Sequence, residues 1–276
     1  MGFSKRKGTK GVKHLPDDFD EIQSKFIERI NENVVKYKIP DALVINWDQT
    51  GVNLVPCGEW TMNETGAKQV PIKGVDDKRQ IIALLAVAKS GDILPPQLLY
   101  QGLSDKCHPV HKFPDDWDIF HSENHWSNAD TMRRYVERVI VPYVDKIKEE
   151  LDLPLKQKAL CVFDVFKAHQ DKGLLKLLEE NDIKVVFVPA ACTDRLQPLD
   201  IQINGKFKSL MKSEFQTYYA NEVKIALEKG TDITEIDVDL RLSKIKPIHA
   251  KWIVKCIDKL AHERELIATA FSKAGM

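Results

Sequence analysis

"KALCVFDVFKAHQDKGLLKLLEENDIKVVFVPAACTDRLQPLD", residues 158–200, decides the fold. Its runs "KALCVFD" (158–164) and "IKVVFVP" (183–189) are continuous, apolar and of strand length, and "QDKGLLKLLEEN" between them has helical spacing. A further helix start, "RLQPLD", follows the second run. Strand, helix, strand, helix with short connections brings the two strands side by side in parallel. Unbroken apolar runs mark strands covered on both faces.

Upstream, Phe19, Ile22, Phe26, Ile30 and Val34 lie at helical spacing, and Pro40 ends that helix. "DALVINWD" (41–48), residues 67–74 and residues 79–88 read as strands. "KSGD" (89–92) turns into "ILPPQLLYQG", whose prolines suit a sheet edge. These strands, joined by short turns, are expected to form an antiparallel meander. Residues 102–126 read as loop. "SNADTMRRYVERVIVPYVDKIKEEL" is a helix, with Ser127 and Asp130 as its capping box and a kink at Pro142. A long helix runs from about Pro198 to Lys229, closed by Gly230, and further helices finish the chain. The expected class is α/β, a mixed sheet of about five strands flanked by helices.

Two buried strands end in acid: "VINWDQT" places Asp48, and "LCVFDVF" places Asp164, at or near the carboxyl end. Burying an unpaired carboxylate costs several kcal/mol, roughly, yet Asp is also a common turn residue that caps the turn or helix after a strand. On neighbouring parallel strands the two would converge at the edge where open α/β sheets bind ligands. Converging carboxylates repel unless a cation or proton intervenes. Hard oxygen donors favour Mg2+ or Mn2+. After the third strand come Asp194, in a loop that suits an Asx-type turn, and Asp200, just inside a helix start. The helix dipole alone accounts for an acid at such a start. A rigid helix start still aims a side chain better than a loop does.

"INWDQTGV", "CVFDVFKAH" and "VPAACTDRLQPLD…N…FK" resemble, in this order, the three signature blocks of the DDE superfamily of transposases, closest to its pogo/Tigger/jerky/centromere protein B branch. The resemblance runs from about residue 17 to the C-terminal "IATAFSKAGM". It implies a ribonuclease H-like fold and a metal-holding catalytic triad of Asp48, Asp164 and Asp200, since "LQPLD" matches the block carrying the third acid. The implied chemistry is two-metal phosphodiester hydrolysis and transesterification on DNA, with Mg2+ or Mn2+. DNA is the implied partner, bound by a homodimer in the nucleus. His169, five residues after Asp164, matches a histidine frequent in the family, set behind the metal ligands, against DNA or in the turn. Gln49 stands where the family commonly has Glu. The alternative is a domesticated DNA- or protein-binding module whose catalysis is unused. A ribonuclease H-like enzyme acting on RNA fits the carboxylates but not the blocks.

By the same resemblance, residues 1–16 read as a basic linker left from an N-terminal helix-turn-helix module missing from this chain. Residues 17–229 form the catalytic domain and 230–276 a C-terminal helical extension. The net charge is zero, but Lys5, Arg6, Lys7, Lys10 and Lys13 stand without an acid in residues 1–14, and residues 241–257 carry five basic side chains and no acid. Lys5, Arg6, Lys7, Lys244, Lys246 and Lys251 are therefore candidate phosphate contacts, although a solvated basic helix face accounts for the second group equally. Cys107, His108, His111, His121 and His125 offer a C-x3-H and H-x3-H donor set. The tight CxxC knuckles of structural zinc sites are absent from it, and "HSENHWSN" resembles a family segment that turns into the helix without metal. The five scattered cysteines read as ordinary reduced thiols. No apolar run reaches membrane-spanning length, so no membrane partner is expected.

Overall fold

The helical spacing of the first segment produces α1 (Phe19–Tyr37), which buries Phe26 and Ile30. Lys38, in the left-handed conformation at φ 50°, donates its backbone N–H to the Val34 and Val35 carbonyls and closes the helix ahead of Pro40. The structure, a computed structural model, describes residues 15–56, 77–123 and 127–276. The strand expected at 67–74 and most of the basic linker, with Lys5, Arg6 and Lys7, lie outside the described residues.

Six strands form one mixed sheet: β1 (Val44–Asn53), β2 (Gln80–Ala88), β3 (Gln97–Gln101), β4 (Asp118–Ser122), β5 (Ala159–Asp164) and β6 (Ile183–Val188), in the order β4-β3-β2-β1-β5-β6. β1, β2 and β3 are antiparallel neighbours, whereas β5 lies parallel to β1 and β6 parallel to β5. α4 (Lys172–Glu180) makes the crossover from β5 to β6, and Asp171 caps it by accepting from the Leu174 N–H at 2.9 Å. The crossover is the arrangement that residues 158–200 predict, and the central strands β1, β2 and β5 are buried almost throughout.

Three expectations are corrected. β4 falls in the stretch read as loop and pairs with β3 in parallel, Leu98 opposite Ile119. "DIFHS" is short and carries no period of its own; it is held by the fully buried Asp118, which accepts from Gln97 Nε2 at 2.7 Å and from Arg134 Nε at 2.8 Å. The segment read as one kinked helix is α2 (Ala129–Tyr135), a π turn over Val136–Ile140 and α3 (Val141–Glu150). The backbone stays helical through Ile140 and Val141, so Pro142 sits inside a continuous helix, and the wider π turn before it accommodates the ring and its missing N–H. The capping box is Asn128 with Thr131, not Ser127 with Asp130: Asn128 Oδ1 accepts from the Thr131 N–H at 3.0 Å, and Thr131 Oγ1 accepts from the Asn128 N–H at 2.9 Å.

After β6 come the single turn α5 (Thr193–Leu196), a π turn over Leu199–Ile203, and α6 (Asn204–Glu228), with Gly230 at φ +82° beyond it. α7 (Leu242–Ala261) packs on α6, and α8 (Arg264–Lys273) packs on the 199–203 turn and on β2. The β2–β3 turn presses on the start of α8. A Cβ on Gly91, at φ +94°, would meet the Arg264 carbonyl oxygen at 2.7 Å, so both backbone and space require glycine there. Among the described residues no helix is long and apolar enough to cross a membrane.

Candidate active site

β1 extends beyond the segment read as strand, so Asp48 lies in mid-strand rather than at its end. Its β2 side continues in register, Asp48 opposite Leu85, but the β5 side stops at Asn46 opposite Val162. Two residues further along the same register, Asp48 and Asp164 stand past the last paired position, on a common face. Asp48 is therefore buried among sheet neighbours yet open to the gap where β5 leaves.

Asn46 brings in the third acid. Its side chain is fully buried, donates from Nδ2 to the Val162 carbonyl at 2.8 Å and accepts at Oδ1 from the Leu199 N–H at 3.1 Å. One amide thus ties β1, β5 and the turn carrying Asp200. Removing it would leave a carbonyl and an N–H unpaired in a dry interior. Asn46→Ala is expected to cost about 2 kcal/mol in chemical denaturation, and a cost near zero would show that the turn docks without it.

Asn204, four residues after Asp200 and so on the same helical face, spans two of the acids. Its Nδ2 donates to Asp48 Oδ2 at 2.7 Å and approaches Asp200 Oδ1 at 3.3 Å, so those oxygens are at most 6.0 Å apart. Burial first, then the Asp200 charge and more weakly that of Asp164, push the Asp48 carboxyl well above the usual carboxylate range, while hydrogen bonds from Asn204 and the Gln49 backbone pull it back. Asp200 is exposed, Asp164 half-buried and Asp48 9% exposed.

Asp164 is held from behind. His169, 1% exposed, places Nδ1 at 2.7 Å from Asp164 Oδ1 and 3.1 Å from its carbonyl oxygen. The imidazole is packed by Trp47, Phe163 and Phe166, and Trp47 stacks on Phe163 with centroids 4.5 Å apart. His169 Nε2 is buried without a partner among the described residues. A cavity of about 390 Å³ opens over Asp48 and Asp164, with Gln49, Gly51, Gln80 and His169 in its wall; Asp200 is not in that wall and is linked to Asp48 through Asn204.

This donor set fits a hard divalent cation. Asp48 feels the charges of both Asp200 and Asp164, no lysine or arginine pairs with any of the three among the described residues, and Asn204 Oδ1 is a further buried oxygen without a partner among them. A cation between them would relieve the repulsion that lifts Asp48.

The other sequence candidates fall elsewhere. Asp194 is exposed in the first turn of α5, a helix start rather than a loop. Lys244 pairs with Glu222 at 3.1 Å and Lys255 with Glu214 at 2.8 Å, while Lys246 donates to the Cys107 carbonyl at 2.6 Å. Lys251 is exposed and makes no ion pair among the described residues. Of the cysteine and histidine donors, Cys107, His108 and His121 converge, His111 stands apart, and His125 lies outside the described residues. Asn46 and Asn204 stand inside the quoted signature blocks, but the sequence assigns neither a role; the structure gives each one, two residues before Asp48 and four after Asp200.

The sequence profile of the DDE superfamily endonuclease family matches residues 78–238, which takes in Asp164 and Asp200, while Asp48 precedes it. The chain is similar to the human protein "Pogo transposable element with ZNF domain", 21% identical over 263 residues, 95% of this chain and 17% of that protein's length. It therefore spans about a sixth of that relative. Among solved structures it is similar to the pre-cleavage Mos1 transpososome, with TM-score 0.50, 12% identity, and 99% of this chain and 68% of that one covered. The Mos1 paired-end complex with left transposon end follows at TM-score 0.48 and 13% identity, with the same coverage. The likeness at 0.50 is one of fold, and the mixed sheet with its flanking helices is ribonuclease H-like.

Proposed function

We propose that this chain, which belongs to the DDE superfamily endonucleases, is the DNA-cutting and strand-joining core of a pogo-like transposase. One observation supports the reading: Asp48 and Asp164 occupy matching positions on neighbouring strands where β5 leaves β1, and Asn204 ties Asp200 to Asp48. Residues 17–229 are the catalytic unit, the helices of 230–276 are an addition to it, and the target is nuclear DNA.

In this reading Asp48, Asp164 and Asp200 hold Mg2+ or Mn2+, which when bound activates a water or a 3′-hydroxyl and stabilises the leaving oxygen of an in-line displacement. The chain's own residues set the stage. Asn204 fixes the carboxylates of Asp48 and Asp200 relative to each other. His169 occupies Oδ1 of Asp164, so Oδ2 would be the oxygen left for a cation. The aromatic wall of Trp47, Phe163 and Phe166 locks His169 in place and keeps water from its far side. The five basic residues of 241–257 supply few free charges, because three of those lysines are engaged within the chain. Lys251 is the phosphate contact we assign in that segment.

The test is a nicking and joining assay with the chain fused to a sequence-specific DNA-binding module, on plasmid carrying the matching site, with Mn2+ or Mg2+. Metal-dependent nicked and joined products are expected. A properly folded fusion that binds its site and yields neither product overturns the proposal.

A further inference from the structure

The cluster of Cys107, His108 and His121 plays no part in the chemistry above. Its Cys Sγ and His ring nitrogens lie within 4.8 Å of one another, at the edge of the sheet formed by β4. His108 Nε2 is 3.2 Å from His121 Nδ1. Two imidazole nitrogens on one tetrahedral zinc, at bond lengths of about 2.0–2.1 Å, stand about 3.3 Å apart. Asp105 Oδ1 adds an oxygen 3.5 Å from His121 Nδ1 and 3.8 Å from His108 Nδ1.

We propose that Cys107, His108 and His121, with Asp105 or a water in the fourth position, bind one zinc ion that fastens the loop after β3 to edge strand β4.

The surroundings are built for such a site. Cys107 sits against Gly102, where a Cβ would come within 2.4 Å of the Cys107 Cβ, so no side chain can stand between this thiol and the strand end. Both histidine side chains are only 17% exposed, and the Phe120 backbone also hydrogen-bonds the His108 ring. Orientation of a ligating imidazole through its second nitrogen is the usual companion of zinc. Burial holds His108 neutral, with a lone pair to give. Burial also raises the Cys107 thiol, and Lys246, bonded to the Cys107 carbonyl, only partly offsets this. The metal-free thiol therefore keeps its proton. On binding, the S–H bond breaks, the proton leaves to solvent and the sulfur pair forms the Zn–S bond. One thiolate and the Asp105 carboxylate then balance the 2+ charge. Soft sulfur with imidazole also separates this site from the all-oxygen site, which selects Mg2+ or Mn2+.

The experiment uses the whole chain, stripped with a chelator and titrated with Zn2+ or Co2+ in excess Mg2+. One zinc per chain is expected to survive gel filtration, with one proton released, and Co2+ is expected to show a thiolate charge-transfer band with tetrahedral absorption. Cys107→Ser should abolish the band, and His121→Gln should weaken zinc binding by at least about 100-fold. Asp164→Asn should leave both unchanged. Because His121→Gln keeps a polar side chain of similar reach, it guards against a Cys107 variant that misfolds. Failure of the wild-type chain to retain zinc, or a thiolate band that persists in Cys107→Ser, overturns the proposal. In the first case the pair is only a histidine–histidine hydrogen bond. None of these outcomes depends on DNA cleavage.

Discussion

Asp48→Asn is expected to lower metal-dependent DNA cleavage by about 1000-fold or more while raising the melting temperature of the metal-free protein. The first effect follows from the proposed function, in which Asp48 is one anionic ligand of the cation: several kcal/mol of charge stabilisation is about three powers of ten in rate. The second comes from burial. Asp48 titrates well above the usual carboxylate range, because desolvation and the Asp200 and Asp164 charges all disfavour its ionised form. A carboxyl raised in the folded state is a destabilising charge once the pH exceeds its folded value. The penalty fades as pH falls toward the ordinary value of 3.8. Asparagine is neutral at every pH and can still meet Asn204, so the variant lacks both the penalty and its pH dependence. Mg2+ should raise the melting temperature of the wild type much more than that of the variant, since a ligand stabilises only the state that binds it. Thermal melts at neutral pH, with and without Mg2+, read the second effect apart from the first. A variant less stable than the metal-free wild type would show that the carboxylates do not repel.

The second large effect concerns His249, fully buried in α7. Its Nε2–H donates to the Asn53 carbonyl at 3.1 Å, and its ring lies against Trp252. Burial lowers this imidazole from 6.5 to about 4. The sign is fixed by comparing the two states. Between those values the unfolded chain takes up a proton that the folded chain refuses, so the contribution of His249 is complete above pH 6.5 and is lost as pH falls toward 4. At about 1.4 kcal/mol per pH unit the loss is about 3 kcal/mol. His249→Gln keeps a donor for Asn53 and removes the titration. Denaturation at pH 7 and pH 4 should show wild type losing about 3 kcal/mol more than the variant. Equal losses would mean that the ring gains access to water or a partner on acidification. His249 links α7 to the end of β1, so acid should loosen the C-terminal helices from the strand that carries Asp48.

The sequence is legible where a residue's role depends on near neighbours. The run from 158 to 200 specifies strand, crossover helix and strand because apolar period and length are local properties, and β5, α4 and β6 match it closely. Asp48 and Asp164 stand out because a charge in or ending an apolar strand is locally anomalous. The misses share the opposite character. β4 has no period of its own and exists because β3, Gln97 and Arg134 hold it. The cap of α2 moved by one residue because Asn128 and Thr131 satisfy each other's backbone, a geometric fact that several nearby polar residues could have met.

By itself, then, the sequence determined the α/β class, the parallel β5–β6 unit and the two strand acids, because strand period, helix period and misplaced charge are written in contiguous residues; Asp200 is singled out by the resemblance of its block. Only the tertiary structure decided what stands beside them: Asn46 tying the Asp200 turn to β5, Asn204 between two carboxylates, His169 behind Asp164, and Cys107 and His108 against His121. Most of these contacts join segments far apart in the chain. Their energies depend on burial and on distances of a few ångströms, which no local pattern encodes.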